Sequence, residues 1–257
     1  MTKTLGILTT SALALLGAGS ANAAIVNFTG PDDLLLDPAT NVIAVNSFGT
    51  GAGNAVSPDL LVNGVNFISD GNVAGSGTAS NGPVTVATNS GFQINGWSTA
   101  PAYTNGTGTS LANFNNLMHD IRWERGSDAT SLTIDISGLS NGSLYNVQLL
   151  FGENNPAGTG VRTWDIAVEG NLEEDNLTML GSTTSLGYAF SGNFDPGADN
   201  TLSIVMDADL GGAPNTAGDQ NPILQGVIVH TVVPEPGSVA LIGLSGFAIM
   251  LARRRRR

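Results

Sequence analysis

Apolar and polar residues alternate strictly in several short stretches of the chain, and the clearest of these is Ser131–Ser137. Leu132, Ile134 and Ile136 occupy alternate positions, with polar residues between them. Because successive side chains of a β-strand point to opposite faces of the sheet, this pattern predicts a strand with one buried face.

Similar runs recur along the chain, separated by Gly, Asn, Asp and Pro, which are typical of turns. In the C-terminal half the predicted strands are Tyr145–Phe151, Arg162–Gly170, Thr201–Met206 and Leu224–Thr231. In the N-terminal half they are Ile25–Thr29, Val42–Ser47, Val65–Ile68, Val84–Thr88 and Leu117–Trp123. Two polar stretches, Asp70–Gly82 and Ser98–Asn113, are predicted to be long loops. No long segment shows a helical period, so the pattern predicts an all-β domain built as an antiparallel sandwich.

The N-terminus has the three parts of a secretory signal peptide. Lys3 precedes an apolar run, Leu5–Leu16, and the small residues Ala21 and Ala23 follow it with one residue between them. A basic start, a short apolar region and an Ala-x-Ala site mark a segment that is removed on export. We expect residues 1–23 to form this signal helix, with cleavage after Ala23; the alternative is a helix buried in the fold.

The C-terminus combines three further features. Pro234, Glu235 and Pro236 precede an apolar segment, Gly237–Ala252. The chain then ends in the arginines Arg253, Arg254, Arg255, Arg256 and Arg257. The apolar segment is slightly shorter than the ~20 residues of a full transmembrane helix. Since positive charge stays on the cytoplasmic side, the pattern predicts a membrane helix that leaves the preceding chain outside the cytoplasmic membrane.

The order of Pro-Glu-Pro, apolar helix and terminal arginines resembles the PEP-CTERM sorting signal of Gram-negative bacteria. The resemblance covers residues 233–257. It implies recognition by an exosortase, a membrane cysteine transpeptidase that would cut near Pro234 and pass the rest of the chain to the outer surface. A plain tail anchor is the alternative, although such an anchor does not need the Pro-Glu-Pro sequence.

Removing both ends leaves a body, residues 24–232, whose length suits one β-sandwich domain. The chain has no cysteine, so it can form no disulfide and has no thiol chemistry. The body retains Arg122, Arg125 and Arg162 against twenty acidic residues, a formal charge of about −17. Nucleic-acid binding needs clustered Lys and Arg, so nucleic acid is excluded as a partner, whereas divalent cations are attracted.

A second resemblance lies in the body. The segments Tyr145–Glu153 (YNVQLLFGE) and Arg162–Gly170 (RTWDIAVEG) are similar to two strands of malectin-like domains, with Trp164 where the family usually has Phe. Asp219–Val229 (DQNPILQGVIV) is similar to the closing strand of that family. The resemblance implies a galactose-binding-like jelly roll that often binds carbohydrate through loop aromatics and a loop Asp. Asp219 matches the position of a ligand-contacting Asp in some members.

Two aromatic residues, Trp97 and Tyr103, lie in a turn-rich stretch and are candidates for an exposed platform that packs against a sugar ring. The alternative is that they cap the edge of the sandwich. Trp164 alternates with Ile166 and Val168, which favours the core.

Charged residues offer weaker candidates. Glu153 and Asp165 are expected to pair with Arg162, and a carboxylate pair of this kind could serve a glycoside hydrolase. Asp207 and Asp209, like the acids of Asp195–Asp199, could supply oxygen ligands to a structural Ca²⁺ ion. His119 and His230 are far apart on predicted strands, so a histidine metal site is not expected. No phosphate loop, dinucleotide fingerprint or serine nucleophile motif is present, so we expect no organic cofactor.

These observations leave three hypotheses for an exported envelope protein. The first is a non-catalytic protein that binds exopolysaccharide through Trp97, Tyr103 and Asp219. The second is a purely structural surface or matrix protein with the same fold and no glycan pocket. The third is a secreted hydrolase that acts on glycans.

Overall fold

The structure, a computed structural model, describes residues 23–46, 59–69, 78–88, 92–94, 103–124, 131–153, 160–180, 186–211 and 218–232. Its strands, numbered in chain order, form two main antiparallel sheets. The five-stranded sheet has the order β1 (Ala24–Phe28), β13 (Gly187–Phe194), β10 (Tyr145–Phe151), β16 (Gly226–Thr231) and β2 (Asn41–Asn46). The six-stranded sheet has the order β12 (Asn171–Leu180), β11 (Val161–Val168), β14 (Leu202–Asp207), β9 (Ser131–Ile136), β6 (Val84–Thr88) and β5 (Thr78–Asn81).

Smaller elements complete the described part of the fold. A three-stranded sheet contains β15 (Ile223–Leu224), β8 (Ile121–Trp123) and β7 (Phe92–Ile94). A two-stranded hairpin pairs β3 (Leu60–Val62) with β4 (Val65–Phe67). One α-helix, α1 (Gly108–Leu117), and one 3-10 turn, Pro31–Asp33, are the helical elements among the described residues.

The main core lies between the two large sheets. Val147, Leu149 and Phe151 of β10 are fully buried there together with Trp164 and Ile166 of β11. The rings of Phe151 and Trp164 meet edge to face with their centroids 5.3 Å apart. The alternating apolar positions are therefore the ones that interdigitate between the sheets, and the predicted antiparallel sandwich is confirmed. Trp164 is a core residue, as expected.

The five-stranded sheet also buries its outer face. Leu150, Ala189 and Ile228 point away from the main core into a second apolar cluster. This cluster includes side chains from the end of β1, from the β3–β4 hairpin, from α1 and from the segment before α1: Phe28, Val62, Phe67, Tyr103, Phe114 and Leu117. Leu34 and Leu36, in the segment after β1, pack against it. We call these covering elements the outer layer. An apolar sheet face has to be shielded from water, so the outer layer makes the domain three layers deep at this sheet.

Three rings hold the outer layer together. Phe28, Tyr103 and Phe114 lie with pairwise centroid distances between 5.3 and 5.5 Å. Phe28 packs directly on Gly187 of the neighbouring strand, where a Cβ atom would overlap the phenyl ring. A larger residue at position 187 would displace the ring, so a glycine is required at this point of β13.

Several predicted elements differ from the structure. The stretch Ser98–Asn113 was predicted as a loop, but helix α1 begins within it at Gly108, and the predicted strand Leu117–Trp123 is reduced to the three residues of β8. The loop prediction was wrong from Gly108 onward, and the strand prediction is confirmed only for β8. The helix was missed because the apolar residues Leu111, Phe114 and Leu117 follow helical spacing over only two turns, too short a pattern to stand out. Burial against the sheet, rather than local propensity, stabilises this helix.

Other strands were absent from the prediction. The predicted loop Asp70–Gly82 contains β5, and the unpredicted strands include β3, β7, β12 and β13. β12 is an edge strand whose pairing with β11 shifts register near Ile166, and its acidic run, Glu173 to Asp175, hides the alternation. A bulge breaks the period of two on which the prediction depended.

The predicted terminal helices, apart from Ala23, lie outside the described residues. Among the residues that the structure describes, no helix has the length and apolar character needed to cross a bilayer. The domain boundaries at residues 23 and 232 stay predictions.

A polar latch fastens the segment between β1 and β2 to the outer face of the sheet. The Leu35 carbonyl oxygen accepts hydrogen bonds from Gln148 Nε2 (3.0 Å) and from His230 Nε2 (2.8 Å). His230 Nδ1 lies 3.2 Å from Thr40 Oγ1, so a neutral ring that donates through Nε2 accepts through Nδ1. Burial lowers the pKa of His230, against the opposing effects of the Leu35 carbonyl and of Asp37.

Phe114→Ala should destabilise the protein by about 3–5 kcal/mol, because it removes a fully buried ring from the outer layer. Urea unfolding measures the loss. Asn116→Ala, on the exposed side of the same helix, is the matched control and should stay within about 0.5 kcal/mol of the natural protein. Equal effects of the two variants would contradict the packing described for α1.

His230 should make stability depend on pH. Its folded pKa is lowered, so the unfolded chain takes up the proton first as the pH falls below about 6.5. The natural protein should therefore lose stability between about pH 7.5 and pH 5.5, by at most about 1.4 kcal/mol per pH unit from this one group. His230→Gln keeps a polar side chain that does not titrate, so urea unfolding of this variant should show a weaker pH dependence. The same pH dependence of the free energy of unfolding in both proteins would show that His230 is not its source.

Candidate binding site

One end of the sandwich carries the candidate binding residues of the body. At this end β10 finishes at Phe151, β11 begins at Val161, β14 finishes at Asp207 and β16 begins at Gly226. We call this end the loop end. The opposite end consists of the turns 137–144, 169–170 and 195–201, and we call it the base.

A buried arginine joins the two sheets at the loop end. Arg162 of β11 donates from Nε to Glu153 Oε2 (2.6 Å) and from Nη2 to Glu153 Oε1 (2.9 Å). Glu153 follows β10 of the other sheet, and both side chains are at most 2% exposed. A bidentate pair of this geometry is the strongest type of charge-assisted hydrogen bond between side chains. The predicted pairing of Glu153 with Arg162 is confirmed.

The same guanidinium holds Asp219. Arg162 Nη1 lies 2.8 Å from Asp219 Oδ2 and donates also to the Asn221 carbonyl oxygen (3.2 Å). The other carboxylate oxygen, Oδ1, accepts from the backbone N–H (3.0 Å) and the side-chain amide of Asn221. The Asp219 side chain keeps 14% of its surface exposed. Asp219 is thus a carboxylate held in one orientation, with part of its surface open to solvent.

The backbone around Asp219 is fixed as firmly as its side chain. Asp219 N donates to the Val161 carbonyl (2.9 Å), and Thr163 N donates to the Asp219 carbonyl (2.9 Å). Gly218 precedes this bridge with φ +72°, and a Cβ atom there would collide with the Val161 carbonyl oxygen. Only glycine therefore allows the chain to approach β11 so closely.

A second buried arginine lies near the same end. Arg122 of β8 is fully buried, and its Nη2 donates to Thr88 Oγ1 (3.2 Å) at the end of β6. Burial lowers the pKa of Arg122, and the nearby carboxylate of Glu124, also buried, opposes that effect. Among the described residues, Arg122 and Arg162 are the arginines, so these cations serve inside the fold rather than on its surface.

The predicted aromatic platform is not supported at Tyr103. This side chain is 3% exposed and packs in the outer layer against Phe28 and Phe114, so the expectation of an exposed ring was wrong. Burial raises the pKa of the Tyr103 phenol. The ring caps the outer face of the sheet because that face needs an apolar cover. Trp97 lies outside the described residues.

The remaining predicted site residues are placed as follows. Asp165 is fully buried, and its carboxylate accepts from the backbone N–H groups of Asn176 and Leu210, both at 2.8 Å. It thereby secures the turns beside β11. His119 is half-buried, whereas His230 is buried in the latch described above. Ala23 packs half-buried beside the core, and Ala21 and the sorting residues lie outside the described residues.

The predicted calcium ligands organise turns. Asp207 Oδ1 accepts from Asp209 N (3.1 Å), and Asp209 Oδ1 accepts from Gly211 N (3.1 Å). In the part of the chain that the structure describes, no group of three or more His, Cys, Asp or Glu side chains is arranged to hold a metal ion. Calcium binding at Asp207 and Asp209 stays a prediction.

The contact between Arg162 and Asp219 was missed by the sequence analysis. The two residues are 57 positions apart, and only the parallel bridge between their backbones brings them together. Sequence similarity had singled out Asp219 by itself, without its partner. The pattern of apolar positions contains no signal for such a pair, because ion pairing depends on which strands become neighbours.

Residues 232–257 match the family description "PEP-CTERM protein-sorting motif". The chain carries a PEP-CTERM sorting motif. This confirms the prediction made from Pro234 to Pro236, the apolar segment and the terminal arginines. The motif indicates an exported, exosortase-processed protein of the cell surface.

No curated protein matches the chain. Among solved structures, a crystal structure of plant peptide RALF23 in complex with FER and LLG2 is similar at 17% identity and a TM-score of 0.49, covering 78% of this chain and 52% of that chain. The ANX2 ectodomain from Arabidopsis thaliana is similar at 14% identity and a TM-score of 0.48, covering 76% of this chain and 50% of that one. A family 35 carbohydrate binding module from Clostridium thermocellum is similar at 12% identity and a TM-score of 0.34, covering 57% and 92%.

This chain therefore spans about half the length of the first two structures that it matches.

Arg162→Met should destabilise the body by about 3–5 kcal/mol, because it leaves the buried Glu153 carboxylate without its cation. The double variant Arg162→Met/Glu153→Leu should recover much of this loss, since it replaces the buried pair with apolar side chains. Urea unfolding of the two single variants and the double variant measures the coupling. Additive effects would show that the pair contributes nothing to stability as a unit.

Proposed function

We propose that this protein is a non-catalytic carbohydrate-binding component of the outer surface or extracellular matrix, sorted by an exosortase in a Gram-negative bacterium. Its body would be a malectin-like jelly roll of the galactose-binding-like type. The sorting motif supports export to the surface. The observation that supports binding is the partly exposed carboxylate of Asp219, fixed at the loop end by Arg162.

The chemistry of Asp219 suits a sugar hydroxyl. A carboxylate oxygen offers two lone pairs. Both lone pairs of Oδ1 are taken by the two N–H groups of Asn221, whereas Oδ2 accepts from Arg162 and can accept one more hydrogen bond. Because the side chain is already held in one rotamer, binding does not have to order it, and this lowers the entropic cost of association. A pre-oriented acceptor next to an amide is a suitable partner for ring hydroxyls.

An aromatic partner is available from the sequence. Trp97 belongs to the segment between β7 and Tyr103. β7 pairs with β8, which pairs with β15, the strand that follows Asp219, and the Tyr103 hydroxyl lies beside Gly152 at the loop end. Indole rings pack against the apolar faces of sugars, so we propose Trp97 as the stacking residue beside Asp219. Tyr103 is left out of this proposal because its ring is buried.

A purely structural role is the second candidate, and the burial of Tyr103 favours it. Loss of one of the two expected platform residues leaves less surface for a ligand. In this account, the network around Arg162 serves only to close the loop end.

We further propose that the body is not a hydrolase. A glycosidase needs two carboxyl groups that both reach the substrate, one of them holding a proton. Glu153 is buried, and it shares one guanidinium with Asp219, which is the arrangement of an ion-pair network.

Binding should be measured with the body, residues 24–232, which contains every described strand, on an array of glycans with and without Ca²⁺. We expect saturable binding, and Asp219→Ala should weaken it by about tenfold to a hundredfold, the usual effect of losing a hydrogen bond to a charged group. The comparison with and without Ca²⁺ tests the predicted calcium ligands Asp207 and Asp209.

Asp135→Ala is the matched control, because Asp135 lies on the outer face of the six-stranded sheet, away from the loop end. Unfolding curves of both variants establish that they are folded. Loss of binding by the control alone would place the site on the sheet face. No binding to the array or to the polysaccharide of the organism would leave the structural role as the better account.

A further inference from the structure

The two ends of the body leave the sandwich at the same end. Strand β1 begins at Ala24, which pairs with Ser191 near the end of β13, and Ala23 packs beside Gly192. Strand β16 finishes at Thr231, which pairs with Tyr145, the first residue of β10. Both positions belong to the base, one strand length away from Asp219 and the loop end.

The chain is held by hydrogen bonds up to the start of the sorting motif. Thr231 N donates to the Thr40 carbonyl (2.9 Å), and Val232 N donates to the Leu144 carbonyl (3.1 Å). The matched motif begins at residue 232. Strand β16 lies inside the sheet, between β10 and β2, so this attachment cannot fray without breaking two strand pairings.

Little chain is left to act as a flexible linker. Only four residues, two of them proline, separate Val232 from the apolar segment that begins at Gly237. Even when fully extended, four residues reach about 14 Å at most. The body therefore cannot turn over freely while it is attached through its C-terminus.

We propose that the sorting motif holds the body by its base, so that the loop end points away from the membrane. The inference rests on the sorting by an exosortase in the proposed function, applies to the chain before it is cut, and is independent of glycan binding. The predicted signal peptide ends at Ala23, so before its removal it also would join the body at the base.

Charge on the flank favours an upright body over one that lies flat. The edge strand β12 carries Glu173, Glu174 and Asp175, and the pKa of Glu174 is raised by burial and by the neighbouring charge of Asp175. An acidic edge is repelled by anionic lipid headgroups. The described residues of the base include Glu169, Asp195 and Asp199 but no Lys or Arg that would bind lipid headgroups. The covalent connection to the sorting motif therefore determines which end of the body lies nearest the membrane.

Single cysteines can report the orientation, because the natural chain has none. Asn141→Cys labels an exposed position in the base, and Asp209→Cys labels an exposed position at the loop end. The uncut full chain, labelled with a donor dye, is placed in lipid vesicles that contain an acceptor dye in the bilayer. The seven residues of β10 alone separate the two ends by about 20 Å, so energy transfer from Asn141→Cys should be at least about twofold higher.

The matched control inserts a Gly/Ser linker of about 20 residues between Val232 and Val233, whose mean span of about 25 Å frees the body to rotate. This insertion should remove most of the difference between the two labels. Equal transfer from both labels in the natural chain, including no transfer from either, would overturn the proposal, as would higher transfer from the loop end. Failure of glycan binding on the array would leave this result unchanged, so the two proposals fail separately.

Discussion

The five-stranded sheet has to bury both of its faces, and much of the fold follows from that requirement. One face packs on the six-stranded sheet through β10 and β16, and the other carries Leu150, Ala189 and Ile228. Water must be excluded from that second face, so the chain between β1 and β2, the β3–β4 hairpin and helix α1 lie across it. Tyr103 is drawn into this layer, which removes it from the surface where a ligand could reach it.

The described arginines of the body lie inside the fold rather than on its surface. The body has few arginines for its many acids, and Arg122 and Arg162 are buried as partners of hydroxyl and carboxylate groups within the fold. Arg162 of β11 connects Glu153, which follows β10, with Asp219, which precedes β15, so one guanidinium joins three segments at the loop end. With these two cations inside the fold, acidic side chains carry the formal charge on the described surface.

The two ends of the sandwich therefore differ in structure. The base contains both ends of the body, which are held there by strand pairing and hydrogen bonds, whereas the loop end carries the fixed carboxylate of Asp219. Antiparallel strands separate these two features by their own length, because each strand joins one end to the other. A body attached at one end and open at the other is suited to presenting a binding surface, or a matrix contact, away from the cell.

The sequence by itself determined the class of the domain and the sorting of the chain. Alternation in segments such as Ser131–Ser137 depends only on neighbouring residues, and the sorting motif is one continuous segment, so both could be read directly. Tertiary structure decided the rest. Helix α1 forms because a sheet face needs a cover, Tyr103 is buried for the same reason, and Asp219 meets Arg162 across 57 residues. These contacts depend on which strands become neighbours, and that is a property of the whole topology rather than of any local pattern.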